Sequence, residues 1–292
     1  MKRTCIILTL LFAGLSVASA QNDRSWVASS GSDSNGCGRS APCRTFAHAV
    51  AVTNAGGEID AVDSADYGPV VVDRSVIIDG GHNIATINAY VSGYCGVIYD
   101  LSAICVNGQH VTLRNLSING GAPGIWYGIV AAGGVLHMEN VTVTGTDKSG
   151  VVVASGTADI NDSLIRDCGG QGVDVSSGAV ATVDHVVISG TQGFGAVYSG
   201  GTAVIRNSSL LHNLGAAAFA AVGTVTVDNT LIAYNTIGAV ASTISATVLL
   251  SNTTITGNTT GIAALGPVIS FVNNRIYGNT TNGVPTLSVY QK

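Results

Sequence analysis

The chain has 292 residues and a net charge of −5 at pH 7, from 12 basic and 17 acidic side chains. Nucleic acids and anionic membranes are bound through clustered Lys and Arg, so this balance argues against either as the main partner. Aromatic residues (5%) and charged residues (10%) are scarce, whereas glycines number 38. This composition suits a narrow core of small side chains rather than one built on large rings.

The first 20 residues (1–20) have the layout of a secretory signal peptide. Lys2 and Arg3 precede an apolar run, and small residues at 18–20 provide a cleavage site. We therefore expect a secreted protein, located outside the cell, on its surface or in the periplasm. Beyond this leader no apolar run approaches the roughly 18 residues that cross a bilayer, so no membrane span is expected.

Residues 21–57 are predicted to form an N-terminal cap. A short strand should be followed by an amphipathic helix within 42–52, with Phe46, Ala49 and Val50 on one face. A solenoid exposes the apolar cross-section of its first coil, and a helix laid over that end would cover it.

Residues 58–292 are predicted to form a parallel β-helix, in which less regular coils are followed, from residue 111 to the end, by one short repeat. Eight copies of the pattern apolar-x-apolar-x-Asn-x-x-Ile recur at spacings of 21 to 25 residues, a period that indicates stacked supersecondary units. The apolar residues alternate with polar ones and are mostly Val, Ile and Thr, which predicts strands. Two further strand columns accompany each copy. We therefore predict an all-β protein, a single-stranded parallel β-helix of about 22 residues per coil, with an N-terminal capping helix.

The Asn position of the repeat is predicted to form a ladder at a bend. Like residues of successive coils lie about 4.8 Å apart, and a short amide tolerates positive φ and can hydrogen-bond to the next coil. We expect this ladder to turn inward and to satisfy buried polar groups. Its members are Asn115, Asn140, Asp162, His185, Asn207, Asn229, Asn252 and Asn273. The adjacent Asp162 and His185 should form a satisfied core pair; the alternative is a general base held by a carboxylate.

Five of the six cysteines follow the leader. In an oxidising compartment the economical disulfides join the near pairs, Cys37 with Cys43 and Cys95 with Cys105. Cys168 is then a free thiol. It has no adjacent His or Lys to activate it, which favours a small buried hydrophobe over a reactive group.

Motifs at both ends of the repeats carry a family resemblance. They lie at 26–27, 30–35, 41–46, 56–57 and 76–80, and in the ending that runs from Asn273 to Pro285. These segments resemble secreted bacterial right-handed β-helix proteins of the pectin-lyase-like superfamily, and the repeats resemble an uncharacterised group within it. The resemblance implies right-handed coils. Many members are polysaccharide lyases or hydrolases, so it also implies a search for their machinery.

One segment, 183–189, is similar to the Asp-His segment of pectate lyases, which bind Ca²⁺ through several carboxylates and abstract a proton with Arg or Lys. On this alternative Asp162, Asp174 and Asp184 would be metal ligands and Arg206 the base. The repeat register, however, places Arg206 between Asp184 and Asp228 in one column, which favours a salt-bridge ladder across the coils. The paired-Asp and Gly-His-Gly segments of polygalacturonases are missing.

Four aromatic residues suggest a binding surface of another class. Tyr94 and Tyr99 lie in a predicted loop at about 88–107, and Trp126 and Tyr127 interrupt the next turn. Their rings would form a platform for the faces of sugars. The alternative is that the same rings pack this loop onto the cylinder.

Together these features predict an exported monomer that binds an extracellular polysaccharide or serves as a structural module, with no complete catalytic site and no cofactor. The first alternative is a polysaccharide lyase of the pectate type that requires Ca²⁺. The second is an adhesin or scaffold that binds no sugar.

Overall fold

The computed structural model describes residues 22–82, 84–88, 91–95, 98–120 and 126–290. In this part of the chain it contains one α-helix and 32 strands. The predicted signal peptide lies outside the described residues. The one helix described, only 7 residues long, is too short to cross a membrane.

The elements are as follows. The N-terminal region holds β1 Asn22–Val27, α1 Phe46–Val52, β2 Thr53–Ala61, β3 Ala65–Asp66, β4 Val70–Val72, β5 Val76–Asp79, β6 Ala85–Ile87, β7 Val91–Cys95 and β8 Ile98–Val106. The regular coils hold β9 His110–Arg114, β10 Leu116–Asn119, β11 Tyr127–Ala131, β12 Val135–Glu139, β13 Thr142–Thr144, β14 Val151–Val153, β15 Thr157–Asn161, β16 Leu164–Arg166, β17 Val173–Val175, β18 Val180–Asp184, β19 Val187–Ser189, β20 Gly195–Ser199, β21 Thr202–Arg206, β22 Ser209–Leu211, β23 Ala216–Ala220, β24 Thr224–Asp228, β25 Leu231–Ala233, β26 Ile237–Ala241, β27 Thr247–Ser251, β28 Thr254–Thr256 and β29 Thr260–Ala264. The last described strands are β30 Val268–Phe271, β31 Arg275–Ile276 and β32 Leu287–Val289.

These strands form three sheets that run along the solenoid. Sheet A has 12 strands in the order β1-β2-β5-β9-β12-β15-β18-β21-β24-β27-β30-β32. Sheet B has 10, from β3 and β6 through β10, β13, β16, β19, β22, β25 and β28 to β31. Sheet C runs from β4 and β8 through β11, β14, β17, β20, β23 and β26 to β29, with β7 paired to β8. Each regular coil supplies one strand to A, then to B, then to C. The result is a parallel β-solenoid of about 10 turns with about 22 residues per coil, as predicted.

The core is a narrow column of aliphatic side chains. In β15, Ala158 and Ile160 are fully buried, whereas Asp159 and Asn161 face outward and are partly exposed. The same alternation holds in each regular coil because successive side chains of a strand point to opposite faces. Burying one Val, Leu or Ile side chain is worth about 1.5–3 kcal/mol, so the stacked column is the main source of stability.

The predicted Asn ladder lies at the bend between sheets A and B. Seven of its eight members have positive φ, and Asn273 is the exception. This confirms the predicted bend, in which the ladder residue has positive φ. The predicted hydrogen bond between coils is also present: the amide of Asn140 donates to Oδ1 of Asn115 at 2.8 Å. The predicted burial is wrong, because the side chains of Asn140, Asp162 and His185 project from the bend into solvent.

A buried ladder exists instead at the bend between sheets B and C. It consists of Thr191, Asn213, Asn235 and Asn258. The backbone N–H and the side-chain amide of Asn213 both donate to Oδ1 of Asn235, at 2.9 and 2.8 Å. This ladder provides the inward-turned amides that were predicted for the other bend.

The N-terminal cap has the expected parts. Strand β1 pairs with β2, and Phe46, Ala49 and Val50 of α1 are buried. Thr45 caps the helix by accepting a hydrogen bond from the N–H of His48. The ring of Phe46 packs against that of Tyr67, with centroids 5.0 Å apart.

Both predicted disulfides are formed, Cys37 with Cys43 and Cys95 with Cys105, and Cys168 is buried and free. The loop predicted at about 88–107 is not a loop. Strand β7 pairs antiparallel with the first part of β8, and the end of β8 joins sheet C. This hairpin covers part of the outer face of sheet C, where Cys95 and Cys105 pack with Val130 and Val152.

Candidate functional site

The outer face of sheet A carries the predicted column of charged residues. Register pairs Asp184 with Arg206 and Arg206 with Asp228 on successive strands. Arg206 Nε donates to Asp184 Oδ2 at 2.9 Å. Partial burial acts to raise the pKa of Asp184, but the hydrogen bond from Asn207 and the charge of Arg206 outweigh it, so the pKa is lowered. The favoured interpretation of Asp184 and Arg206 as a salt bridge therefore agrees with the contacts.

His185 does not form the predicted core pair with Asp162. Its Nδ1 lies 3.0 Å from Oδ1 of Asp184, and its side chain is 62% exposed. The pairing differs because the bend turns these side chains outward. His185 is therefore open to solvent rather than enclosed in the core.

A polar groove of about 580 Å³ opens on this face, with His137, Glu139, Asp162, Asp184 and His185 in its walls. His137 Nδ1 lies 3.1 Å from Oδ2 of Asp159, one strand away. Of the predicted site residues, the groove brings Asp162, Asp184 and His185 together.

Asp174 lies elsewhere, on β17 of sheet C, and its side chain is on the outer face of that sheet. Ca²⁺ binds oxygen ligands at about 2.3–2.6 Å, so its ligands must converge on one point. Residues on the outer faces of two different sheets cannot do so. The metal set of Asp162, Asp174 and Asp184 is therefore not assembled.

A second carboxylate cluster lies near the N-terminal end of sheet A, where oxygens of Glu58, Asp60 and Asp79 fall within 4.8 Å of one another. Arg114 bridges Glu58 at 2.9 Å and Asp79 at 2.8 Å, and Arg24 bridges Asp60. The two guanidinium groups pair with all three carboxylates, which is consistent with a structural network of ion pairs.

The predicted aromatic platform is already in contact with a cation. The ammonium of Lys148 lies 3.8 Å from the ring centroid of Trp126 and 5.6 Å from that of Tyr127. Tyr127 also packs against the apolar cluster beneath the hairpin, as the packing alternative proposed. Tyr94 and Tyr99 are opposite each other in the hairpin, and their side chains lie outside the described part of the structure.

Further along sheet C is a second groove, of about 560 Å³, that the sequence reasoning missed. We call it the aromatic groove; its walls include Phe194, Leu214, Phe219 and Ile237, together with Gln171 and Gln192. Phe194 is 70% exposed and Leu214 is 68% exposed. Because the two side chains lie in one groove on adjacent coils, they form a contiguous exposed apolar patch, the kind of surface at which ligands bind.

Aromatic rings are ordered along this groove. Tyr198 and Phe219 occupy the same column on neighbouring strands, and their rings stack at 5.2 Å with an interplanar angle of 17°. The ring of Phe194 lies 6.3 Å from that of Phe219 in a tilted arrangement. These contacts restrict the orientations of the three rings.

Glycines make the floor of the groove. A Cβ atom at Gly193 would lie 2.6 Å from the carbonyl carbon of Gly170, and a Cβ atom at Gly215 would overlap the carbonyl oxygen of Gly193. Side chains are therefore excluded at these two positions, and the coils approach closely there, between the larger residues on either side.

Asp174 lies outside the walls of the groove, beside Tyr198, whose ring stacks on the wall residue Phe219. It is the register partner of Tyr198, one strand before it, and burial raises the pKa of its carboxyl group. Its carboxylate has no hydrogen bond or ion pair among the described residues. An acid without a partner beside the partly exposed ring of Tyr198 differs from the paired acids of sheet A.

The sequence did contain a signal for this groove. Phe194 and Leu214 stand next to glycines in consecutive turns, and Asp174, Tyr198 and Phe219 share the outward position of the strand that follows. Aligning the sequences of β17, β20 and β23 by this outward position would have placed Asp174, Tyr198 and Phe219 in one column.

Comparison with known proteins places the chain in a class. The solenoid has the architecture of the pectin-lyase-like parallel β-helix proteins. The family described as "Right handed beta helix region" matches residues 62–210 and 196–291, and the chain belongs to this family.

The solved structures that are similar to this one include two polysaccharide lyases. A pectate lyase, Pel9A, superposes with a TM-score of 0.60 and 14% identity, covering 86% of this chain and 76% of its own. A rhamnogalacturonan lyase superposes with a TM-score of 0.57 and 12% identity, covering 81% and 75%. At these identities the likeness shows the fold alone. The search of curated proteins gives no match.

Proposed function

We propose that the protein is an exported module that binds a polysaccharide in the aromatic groove of sheet C and has no complete catalytic site. The observation that carries this proposal is the groove itself, with exposed Phe194 and Leu214 beside the neutral side chains of Gln171 and Gln192. Sugars present both apolar C–H faces and hydroxyl groups. The groove offers a partner for each.

The size and chemistry of the groove suit a ligand. Its volume of about 560 Å³ falls within the range of about 300–1,000 Å³ that is usual for ligand pockets. Such pockets combine apolar walls with a few polar groups that fix orientation. Gln171 accepts a hydrogen bond from Ser149 at 2.9 Å through its Oε1 atom, which leaves its amide N–H groups to donate to a ligand.

The linear arrangement suits a polymer. The coils repeat about every 4.8 Å along the axis, and the outer face of sheet C presents successive side chains in line. Trp126, with Lys148 over its ring, lies on the same side of the solenoid a few coils before the groove. A chain of sugars running along the axis would meet both regions.

The contacts on sheet A favour binding over the lyase alternative. Arg206 would have to act as a base, yet its guanidinium is already engaged in a hydrogen bond to Asp184. The proposed Ca²⁺ ligands lie on different faces, as described above. The lyase alternative therefore lacks both a free base and a converging metal site.

Export is part of the proposal. Disulfides form and persist mainly in oxidising compartments, and this chain closes two of them behind a sequence typical of a signal peptide. Detection of the mature chain in culture medium or in a periplasmic extract would test this.

A binding assay with one matched control tests the site. Phe194→Ala removes an exposed ring from the groove, and Tyr234→Ala removes a ring that is 61% exposed at the bend between sheets B and C. We expect Phe194→Ala to weaken polysaccharide binding at least tenfold, since stacked rings dominate such contacts, and Tyr234→Ala to leave it unchanged.

The assay uses purified mature protein and a panel of neutral and acidic polysaccharides, with affinity measured by calorimetry. Absorbance from unsaturated products is recorded on the same samples with Ca²⁺ present. Equal binding by both variants would place the site elsewhere. Unsaturated product would restore the lyase alternative, and no binding to any polymer would favour the adhesin or scaffold.

A further inference from the structure

The aromatic groove is uncharged apart from its border. Its walls contain glycine, alanine, threonine and glutamine in addition to the rings and aliphatic residues, and no Lys, Arg or His. Recognition of carboxylate groups in proteins relies on Arg or Lys, or on a bound divalent cation. A uronate residue in this groove would meet neither kind of side chain.

One basic residue stands on the same side of the solenoid, in the coil before the groove. The N–H of Gly170 donates to the carbonyl of Lys148 at 2.9 Å, which sets the two residues on adjacent coils. The ammonium of Lys148 lies 3.8 Å from the centroid of the Trp126 ring, and Trp126 belongs to the coil before that of Lys148. The charge of Lys148 is thus directed away from the groove.

The border residue is Asp174. Asp174, Tyr198 and Phe219 follow one another on β17, β20 and β23, so the carboxylate is about 5 Å from the Tyr198 strand and about 10 Å from the Phe219 strand. The Debye length at physiological salt is about 8 Å, so a charged group placed over Tyr198 would interact electrostatically with this carboxylate. Partial burial reduces this screening further, and no cation among the described residues pairs with the carboxylate.

We infer that the aromatic groove selects uncharged polysaccharides and that Asp174 excludes polyuronates from it. This inference rests on the proposed function and names the class of polymer. Asp174 plays two parts: its oxygens accept hydrogen bonds from sugar hydroxyls, and its charge repels a carboxylate placed in the same position. Gln171 and Gln192 supply neutral donors and acceptors along the rest of the groove.

The test compares two polymers of matched length, a neutral galactan and polygalacturonate, with EDTA present to remove divalent cations. We expect the unmodified protein to bind the galactan at least tenfold more tightly, because juxtaposed like charges are costly. Asp174→Asn keeps the shape of the side chain and removes its charge. It should reduce the preference to less than threefold, mainly by improving binding of polygalacturonate.

Asp159→Asn is the control, since it removes one negative charge from the outer face of sheet A and should leave the preference intact. Equal binding of both polymers by the unmodified protein would overturn the inference, and so would a preference that persists in Asp174→Asn. In either case a loss of galactan binding in Phe194→Ala would show that the groove is still the binding site. If Phe194→Ala binds galactan normally, the proposed function fails as well.

Discussion

The two bends of each regular coil use the same residue type in opposite ways. At the bend between sheets A and B, Asn207 and Asn229 have positive φ, are exposed to solvent, and hydrogen-bond to each other through their side chains. At the bend between sheets B and C, Asn213 and Asn235 are 2% and 3% exposed and donate to buried carbonyl and amide oxygens. The residue is selected for backbone conformation at the first bend and for hydrogen bonding at the second.

The comparison teaches that a repeated residue does not reveal where its side chain points. A bend residue in the left-handed region directs its side chain by the local backbone, whereas a ladder in the core depends on neighbouring coils for every partner. The two bends should therefore respond very differently to the same substitution.

The largest effect is expected at the buried ladder. Asn235→Ala removes the oxygen that accepts from the backbone N–H and the amide of Asn213, and it also removes donors to Leu210 and Asn258. Each buried polar group left without a partner costs about 1–3 kcal/mol, so we expect a loss of about 3 kcal/mol in the free energy of unfolding. Urea denaturation measures it. A loss below about 1 kcal/mol would mean that water enters the bend and replaces the amide.

A smaller effect is expected at the exposed ladder, where Asn229 has φ of 44°. Asn229→Ala should cost about 1 kcal/mol, because an L-residue with a Cβ atom is disfavoured in this conformation. Asn229→Gly should be close to neutral, since glycine adopts positive φ without that penalty. If the glycine variant were as unstable as the alanine variant, the side-chain hydrogen bonds would be the important term and the contrast between the bends would weaken.

The smallest effect concerns the charges attached to the exposed ladder. The amide of Asn207 and the guanidinium of Arg206 both donate to Asp184, and the pKa of Asp184 is lowered. A carboxyl group with a depressed pKa in the folded state stabilises the protein above its unfolded value of about 3.9, and this contribution is lost as the pH falls through the folded value.

Acid titration of stability measures this contribution. Between pH 5 and pH 3 the unmodified protein should lose more stability than Asp184→Asn, by less than about 1 kcal/mol, because the ion pair is at the surface. Asp33, Asp63 and Asp228 also have lowered pKa values and should add to the acid sensitivity of both proteins equally. Identical acid profiles would show that the Asp184 contacts contribute nothing measurable.

Most of the fold was predictable because every coil has the same alternation of apolar and polar residues and nearly the same length. Alternation in segments such as β15 and β18 identifies strands, and one constant period puts them in register. The helix of the cap was predictable from the spacing of Phe46, Ala49 and Val50. The hairpin of β7 and β8 was not, since it interrupts the period and is held by partners from other coils.

The existence of the second ladder could have been predicted from spacing. Four residues, each six positions after a ladder Asn, define this second column: Asn213, Asn235, Asn258 and Asn279. The spacing does not indicate which of the two columns is buried. The aromatic groove was harder. Phe194 and Leu214 belong to turns of different coils, so only the stacking of those coils places them around one cavity, whereas Asp184 and Arg206 stood in an obvious column.

The positions that form the aromatic groove differ in whether they tolerate substitution. A side chain at Gly193 or Gly215 would strike the backbone of the preceding coil, so these positions are tied to the integrity of the solenoid. Phe194 and Leu214 stand beside them in open solvent and carry little of the folding energy. Binding preference can therefore change by substitution of the rim alone, which gives evolution, or an engineer, a surface that can be rewritten while the scaffold stays the same.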